Sequence, residues 1–348
     1  MKKILGVLLV TAAAALMVSC VNSNYNKPAT AGTTIAVEEH SDVPTLDFLG
    51  VSESNIETNK NGDLILSAIP DKPLTGELEL GGQLAGELVM KPGNFEKGLI
   101  PSTDNAGNAG IVVTVSNPAP HPIVFKGSVS LDGASTVALP DVTVGAGETV
   151  DIAYVPSLTD PDIDADIFEV LPDVVVKSMK AAVPNEVKIA DVEIGAATKA
   201  LGANAAKYSF SVNSAFVIPM KFSKGSVLKF EQSFKNLGFD LTEYVKYQAK
   251  EYKVTFKMTN SMPFDIKLSA TSSQGLSGTL DNVIKAGTVA NPVVTPASLT
   301  VKTANESVST LEDAVLKVEM TAASEDAALN KAQKLEIDME SIHIEIVG

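Results

Sequence analysis

Alternation of apolar and polar residues is the dominant pattern along this chain. Residues 123–131 (IVFKGSVSL) and 254–259 (VTFKMT) place apolar side chains at every second position. Successive side chains of a strand point to opposite faces, so this period of two is typical of strands with one buried face. Glycine-containing turns, such as Asp132-Gly133 and Gly145-Ala-Gly147, separate the runs. The pattern predicts an all-β protein.

Two of the alternating runs change phase part-way. In residues 187–194 (VKIADVEI) and 335–346 (LEIDMESIHIEI), the apolar positions move from odd to even numbers. A slip of one residue turns every later side chain to the other face unless a β-bulge absorbs it. We therefore predict bulges near Ala190–Asp191 and Glu340–Ser341. A strand that crosses between sheets is the alternative.

Helical signals are scarce. Asp240-Leu-Thr-Glu243 resembles a capping box and precedes apolar residues at helical spacing, which predicts a short helix near 240–249. Residues 324–331 could supply one or two further helical turns. The fold class is therefore all-β with one or two short helices.

A repeated segment indicates an internal duplication. Residues 113–125 (VTVSNPAPHPIVF) and 254–268 (VTFKMTNSMPFDIKL) share a strand, an asparagine–proline turn and a second strand. Asn117 and Asn260 occupy the same place in the two segments. Further matches follow in order at offsets between 140 and 143 residues. We predict two tandem β-sandwich domains, copy 1 over residues 45–197 and copy 2 over 198–348.

Residues 113–133 resemble the strand-turn-strand signature of the water-stress and hypersensitive-response domain. That domain occurs in late embryogenesis abundant proteins and in some bacterial lipoproteins. The resemblance implies an immunoglobulin-like sandwich without a catalytic site. Copy 2 keeps Asn260, Pro263 and Ile266 but has Ser261 where copy 1 has Pro118.

The N-terminus reads as an export signal. Lys2 and Lys3 precede an apolar run, residues 4–18, that is shorter than the roughly 20 residues needed to span a bilayer. Residues 16–20 (LMVSC) resemble the lipobox of bacterial lipoproteins, although Met17 stands where leucine is usual. The resemblance implies removal of residues 1–19 and attachment of diacylglycerol and a fatty acid such as palmitate to Cys20. The alternative is an ordinary cleaved signal with an incidental cysteine.

The chain as a whole resembles uncharacterised outer-membrane surface lipoproteins of Gram-negative bacteria, which often carry tandem β-sandwich domains. Val21 stands where inner-membrane lipoproteins often carry aspartate, which by the same resemblance favours the outer membrane. The periplasmic and cell-surface sides both stay open. Residues 20–44 are polar and contain two prolines, so we predict a flexible tether between Cys20 and the folded domains.

Charge excludes one class of partner. The chain has a formal charge of −15, and loss of Lys2 and Lys3 with the signal peptide makes it −17. All its basic residues are lysine, whereas bidentate phosphate and base recognition relies on arginine. We therefore expect no nucleic-acid partner. The absence of tryptophan weakens a sugar-binding interpretation without removing it.

One cluster of carboxylates could hold a metal. Alternating aspartates can ligate calcium. The sixth position of an EF-hand pattern counted from the first aspartate is Ala165 rather than glycine, and the twelfth is Leu171 rather than glutamate. A solvated acidic loop and a calcium site therefore both stay open. The four residues are Asp160, Asp162, Asp164 and Asp166.

No catalytic set is evident. His40, His121 and His343 have no partners that their sequence positions would supply, and Cys20 is taken by the lipidation signal. We expect no enzymatic activity and no cofactor other than calcium. The expected function is a non-catalytic, lipid-anchored binding or scaffolding role in the cell envelope, with other envelope proteins or a glycan as partners. The alternatives are an apolar-ligand or lipid-binding protein, a glycan-binding accessory protein and a glycan or peptide hydrolase.

Overall fold

The computed structural model describes residues 33–49, 55–95, 99, 108–159, 162–197, 206–240, 251–273, 275–303 and 310–345. Most of this part of the chain is β-strand. The strands are β1 (Thr33–Pro44), β2 (Ile56–Thr58), β3 (Leu64–Ala68), β4 (Leu74–Leu78), β5 (Gly82–Gln83), β6 (Leu88–Met90), β7 (Gly110–Ser116), β8 (Ile123–Leu131), β9 (Val137–Ala138), β10 (Val142–Val144), β11 (Thr149–Val155), β12 (Ile167–Val170), β13 (Val187–Ala196), β14 (Tyr208–Pro219), β15 (Lys221–Phe222), β16 (Val227–Asp240), β17 (Glu251–Asn260), β18 (Phe264–Thr271), β19 (Leu276–Leu280), β20 (Val293–Thr303), β21 (Thr310–Ala322), β22 (Ala327–Ala328) and β23 (Lys334–Glu345).

The helices among the described residues lie in segments that the sequence did not predict to be helical. They are α1 (Thr45–Leu49) and α2 (Asp173–Ala181), with a short 3₁₀ turn at Pro92–Asn94. The predicted helix over 324–331 is wrong, because this segment forms turns and β22. Of the predicted helix over 240–249, Asp240 ends β16 and the rest lies outside the described residues.

The chain folds into two compact units. We call one the central unit; it contains the described residues of Glu53–Glu96 and Ile100–Lys221. The other, the terminal unit, contains those of Met1–Ser52, Lys97–Leu99 and Phe222–Gly348.

These limits differ from the predicted copies at both ends of the chain. β14 lies in the central unit because it pairs with β3, β4 and β7. The predicted tether extended to residue 44, but β1 begins at Thr33 and pairs with β23 in the terminal unit. Residues 33–44 are therefore not part of a tether, residues 20–32 lie outside the described residues, and the boundary between the units falls after β14 rather than at residue 197.

Two sheets build the central unit. One has the strand order β12-β11-β7-β14-β3-β2, with β4 also on β14. The other has the order β10-β8-β13-β5, with β6 on β13 and β9 on β8. Apolar side chains at alternate positions, such as Val113, Phe125 and Phe216, are fully buried in its core. Of the predicted alternation over 123–131, the apolar positions are buried as expected, but the intervening Ser128 and Ser130 are buried as well, so only the first half of β8 has one exposed face.

One eight-stranded sheet builds the terminal unit, in the order β1-β23-β17-β20-β19-β18-β21-β16. Its core includes Phe264, Ile266 and Met320, all fully buried. Several strand neighbours have the same order in both units: β11-β7-β14 corresponds to β20-β17-β23, and β8-β13 corresponds to β18-β21.

Both predicted bulges are confirmed. The pairing of β13 with β8 shifts between Ala190 and Glu193, and Asp191 has a positive φ of 53°. The pairing of β23 with β17 skips Glu340, between Met339 and Ser341. The phase slips in the sequence therefore mark real irregularities, and both strands stay within their sheets.

Candidate functional site

A groove of about 670 Å³ lies on the terminal unit. Its lining comes from β16, β18 and β21 and from residues 279–283 at the end of β19. Glu319 of β21 lies opposite Lys229 of β16 on one side and Lys267 of β18 on the other. The next row contains Glu231 and Lys317. Strand pairing thus converts three separate alternating segments into one charged surface, which we call the lysine–glutamate groove.

The charges of this groove are paired with one another. The Nζ atoms of Lys229 and Lys267 each lie 3.0 Å from a carboxylate oxygen of Glu319. Lys317 Nζ lies 3.3 Å from Glu231 Oε1. The hydrogen bonds from Lys229 and Lys267 hold the pKa of Glu319 below its ordinary value. Glu319 therefore stays ionised at all physiological pH values.

This arrangement places charged side chains beside apolar ones, such as Leu268, Leu280 and Val283. Exposed ion pairs contribute only about 0–1 kcal/mol each, so a ligand can exchange partners with them at little cost. The volume lies within the range of small-ligand sites, about 300–1,000 Å³. Phe230, the aromatic residue of the lining, is only 4% exposed and offers no face for stacking. The groove therefore offers charge-assisted hydrogen bonds.

Sequence reasoning missed these residues. Lys229, Lys267 and Lys317 are separated by tens of residues and belong to no local motif. Their only signal is a charged residue on the polar face of an alternating strand. Such residues can be recognised as one site only when the strand order is known.

The acidic loop of the central unit is held by protein donors. Asp162 Oδ1 lies 3.2 Å from Lys221 Nζ, and Asp166 Oδ2 accepts a hydrogen bond of 2.9 Å from the Asp151 amide. Asp164 accepts from the amide of Lys60. Asp160 lies outside the described residues, and among the residues described no three His, Cys, Asp or Glu side chains are grouped to hold a metal. The predicted calcium site stays a prediction.

The same loop packs over the outer face of a sheet. Ile163 is buried with Ile65 and Val217 in an apolar cluster. Beside it lies a cleft of about 220 Å³, whose polar lining includes Asp151 and Asp164. The aspartates thus fix the position of an apolar residue, which is a structural role that the sequence pattern did not suggest.

The histidines do not come together. His40 lies in β1 of the terminal unit, where its Nδ1 is 2.6 Å from Asp338 Oδ1 and its Nε2 is 3.3 Å from Asp42 Oδ1. His121 lies in a turn of the central unit, and its carbonyl accepts a hydrogen bond from Asn117. The side chain of His343 lies outside the described part of the structure.

The ion pairs of His40 predict a pH dependence for β1. The hydrogen bond to Asp338, aided by the charges of Asp42 and Glu336, raises the pKa of His40 above its ordinary value of 6.5. Because the pKa of His40 is higher in the folded than in the unfolded chain, its protonation stabilises the pairing of β1 with β23, and this stabilisation is complete below pH 6.5. The stabilisation is lost as the pH rises through the folded-state pKa of His40. Lys334, the cation of this cluster, is protonated throughout that range and does not change sign.

We therefore expect β1 amides to exchange hydrogen more slowly at pH 6 than at pH 8, after correction for intrinsic rates. Hydrogen exchange with mass spectrometry measures this. The variant His40→Gln should lose the pH difference. An equal difference in the variant would contradict the assignment to His40.

A buried asparagine organises an equivalent turn in each unit. In the central unit, Asn117 Nδ2 donates to the carbonyls of His121 (3.0 Å) and Gly145 (2.6 Å), and its Oδ1 accepts from the Ala119 amide (3.0 Å). Gly147 then donates its amide to the Ala119 carbonyl at 3.1 Å. Asn117 is 1% exposed.

The terminal unit repeats this arrangement. Asn260 Nδ2 donates to the carbonyls of Phe264 (2.8 Å) and Lys285 (3.0 Å), and its Oδ1 accepts from the Met262 amide (2.8 Å). Gly287 donates its amide to the Met262 carbonyl at 2.9 Å. The asparagines matched in the sequence thus make corresponding bonds.

The proposed lipidation site, Cys20, lies outside the described residues. Among the residues described, no helix has the length and apolarity that crossing a membrane would require.

The comparisons with known proteins identify no family for this chain. No family model matches the chain, and no curated protein matches it. A crystal structure described as a "putative secreted protein" from Parabacteroides distasonis is 13% identical, with 89% of this chain and 100% of that chain covered and a TM-score of 0.44. The tandem CBM22 domains of Paenibacillus barcinonensis Xyn10C are 9% identical, with 92% and 98% covered and a TM-score of 0.20. Neither similarity assigns a ligand or an activity to this chain.

Proposed function

We propose that this protein is a non-catalytic lipoprotein of the bacterial outer membrane, anchored by acyl chains on Cys20. The observation that carries the proposal is the apolar export signal that ends at the single cysteine of the chain. One acyl chain gives only marginal membrane binding, whereas two or more hold a protein firmly. The strong negative charge would repel anionic lipids, so the acyl chains provide the attachment.

We further propose that the two units are copies of one immunoglobulin-like module. The corresponding hydrogen bonds of Asn117 and Asn260 and the corresponding strand neighbours support this. In each unit a buried asparagine bonds three backbone groups at matched positions. Two unrelated sequences would rarely arrive at the same set of bonds by chance. Each module provides a rigid surface for binding. Its buried polar groups, such as the two asparagines, stabilise the fold.

The role that follows is binding or scaffolding through polar surfaces. The charged residues of the lysine–glutamate groove support a hydroxyl-rich glycan or the polar surface of another envelope protein as the partner. A binding role without catalysis also fits the carboxylates described above, since Asp162, Asp166 and Glu319 are each engaged by protein donors.

Membrane flotation tests the anchor. Wild-type protein expressed in a Gram-negative host should float with the outer-membrane fraction in a density gradient. The variant Cys20→Ser should remain in the soluble or inner-membrane fractions, because no acyl chain can be added. Flotation of both proteins with the outer membrane would refute the proposal.

A further inference from the structure

The strand β16 lies at an edge of its sheet. It is the last strand of the eight-stranded sheet and pairs only with β21 among the described residues. Its register with β21 runs without a break from Val227 to Lys235, and the irregularity follows after that point. The strand contains no proline. α1 contacts its buried face, where Phe48 packs edge-on against Phe230 and the Phe48 carbonyl accepts a hydrogen bond from Gln232 Nε2. Proteins usually protect such an edge with a bulge, a proline or a covering segment, because its unpaired amides and carbonyls are a template for another strand.

The charges along this edge are complementary to themselves. Lys229 and Glu231 stand on either side of Phe230 on the outer face, with side chains 70% and 59% exposed. In an antiparallel pair of two β16 strands centred on Phe230, Lys229 of each copy lies opposite Glu231 of the other. A two-fold axis creates this contact twice.

Both charges also continue the rows of the existing sheet. Lys229 has Glu319 on its inner side, and Glu231 has Lys317. Across the junction the row would read Lys267, Glu319, Lys229, and then Glu231 and Lys317 of the second copy. The signs alternate throughout, whereas a shift of the register by two residues would break this alternation. Opposite charges directly across a strand pair are favourable, and like charges are unfavourable.

We propose that β16 is a self-association surface, at which a second copy of this chain adds its own β16 in antiparallel register centred on Phe230. The contact is isologous and joins two sheets into one. Since it rests on edge pairing and two symmetric ion pairs, it is a weak, reversible interface of the transient class.

Sedimentation equilibrium of the mature chain tests this proposal. Residues 20–348 carry Cys20→Ser, which excludes a disulfide-linked dimer. We expect a monomer–dimer equilibrium with a Kd tighter than about 100 μM. The variants Lys229→Glu and Glu231→Lys each oppose like charges at both symmetric contacts, and each should weaken the dimer at least about tenfold.

A mixture of the Lys229→Glu and Glu231→Lys variants gives the decisive test of the register. One variant then carries two lysines and the other two glutamates, so the mixed dimer should regain the wild-type Kd. Lys285→Glu is the matched control, because it reverses an exposed lysine paired with Asp265 away from β16 and should leave the Kd unchanged. Circular dichroism establishes that each variant is folded.

Three results would overturn the proposal. The wild-type chain could be monomeric up to about 1 mM, roughly tenfold above the upper limit expected for the Kd. A dimer could form but ignore both charge reversals. Finally, the reversals could weaken the dimer without recovery on mixing, which would exclude this antiparallel register.

Discussion

Gly287→Ala is expected to destabilise the terminal unit by about 3 kcal/mol or more. The added Cβ would overlap the carbonyl oxygen of Asn260 and lie 2.8 Å from the amide nitrogen of Val293 and 3.2 Å from the carbonyl oxygen of Asn291. All three neighbours are backbone atoms, so no side chain can rotate away. The turn around Asn260 must therefore shift, and the bond from the Gly287 amide to Met262 is lost with it.

Urea unfolding followed by circular dichroism measures this effect. Gly225→Ala is the matched control in the same unit, because nothing lies within 4 Å of its Cβ position. Its φ of 84° still imposes a left-handed backbone cost of about 1–2 kcal/mol. Equal losses of stability in the two variants would contradict the close approach at Gly287.

Removal of either buried asparagine should have the next largest effect. Asn117→Ala and Asn260→Ala are each expected to cost about 2–4 kcal/mol, because two carbonyls and one amide lose their partner in a buried turn. Water cannot replace the side chain without opening the turn. Backbone groups left unpaired inside a protein carry the full cost of desolvation.

Two exposed asparagines provide controls. Within the described part of the chain, the side chain of Asn213 in the central unit accepts one hydrogen bond from the Ser214 amide, and that of Asn282 in the terminal unit donates one to the Pro296 carbonyl. Their alanine variants should change stability by about 0.5 kcal/mol or less. If the buried and exposed variants unfold at the same urea concentration, the asparagine turns do not organise the units.

Local features of this fold were readable from the sequence. The phase slips at residues 187–194 and 335–346 predicted both bulges. They could do so because the alternation of apolar and polar residues shows which side of the sheet each residue faces. The Asn117 and Asn260 turns were readable because each asparagine bonds a carbonyl four residues later, whereas its second carbonyl partner, 28 or 25 residues away, was not.

Long-range features were not readable. The membership of β1 in the terminal unit depends on pairing with β23, some three hundred residues later. The helix α2 was missed because Asp-Val-Val-Val, at its start, has a strand-like composition, whereas burial of Val175 and Met179 four residues apart stabilises a helix. The lysine–glutamate groove likewise exists only because β21 lies between β16 and β18. The alternation of apolar and polar residues shows which face of a sheet each residue occupies, but it does not show which strands lie next to one another.

The chain's attachment to a lipid is the claim on which its proposed role depends. The most direct measurement is the mass of the N-terminal peptide of the protein purified in detergent from its native membrane. We predict that this peptide begins at Cys20 and carries the mass of a diacylglycerol and an amide-linked fatty acid. A peptide that begins elsewhere, or an unmodified Cys20, would contradict the account.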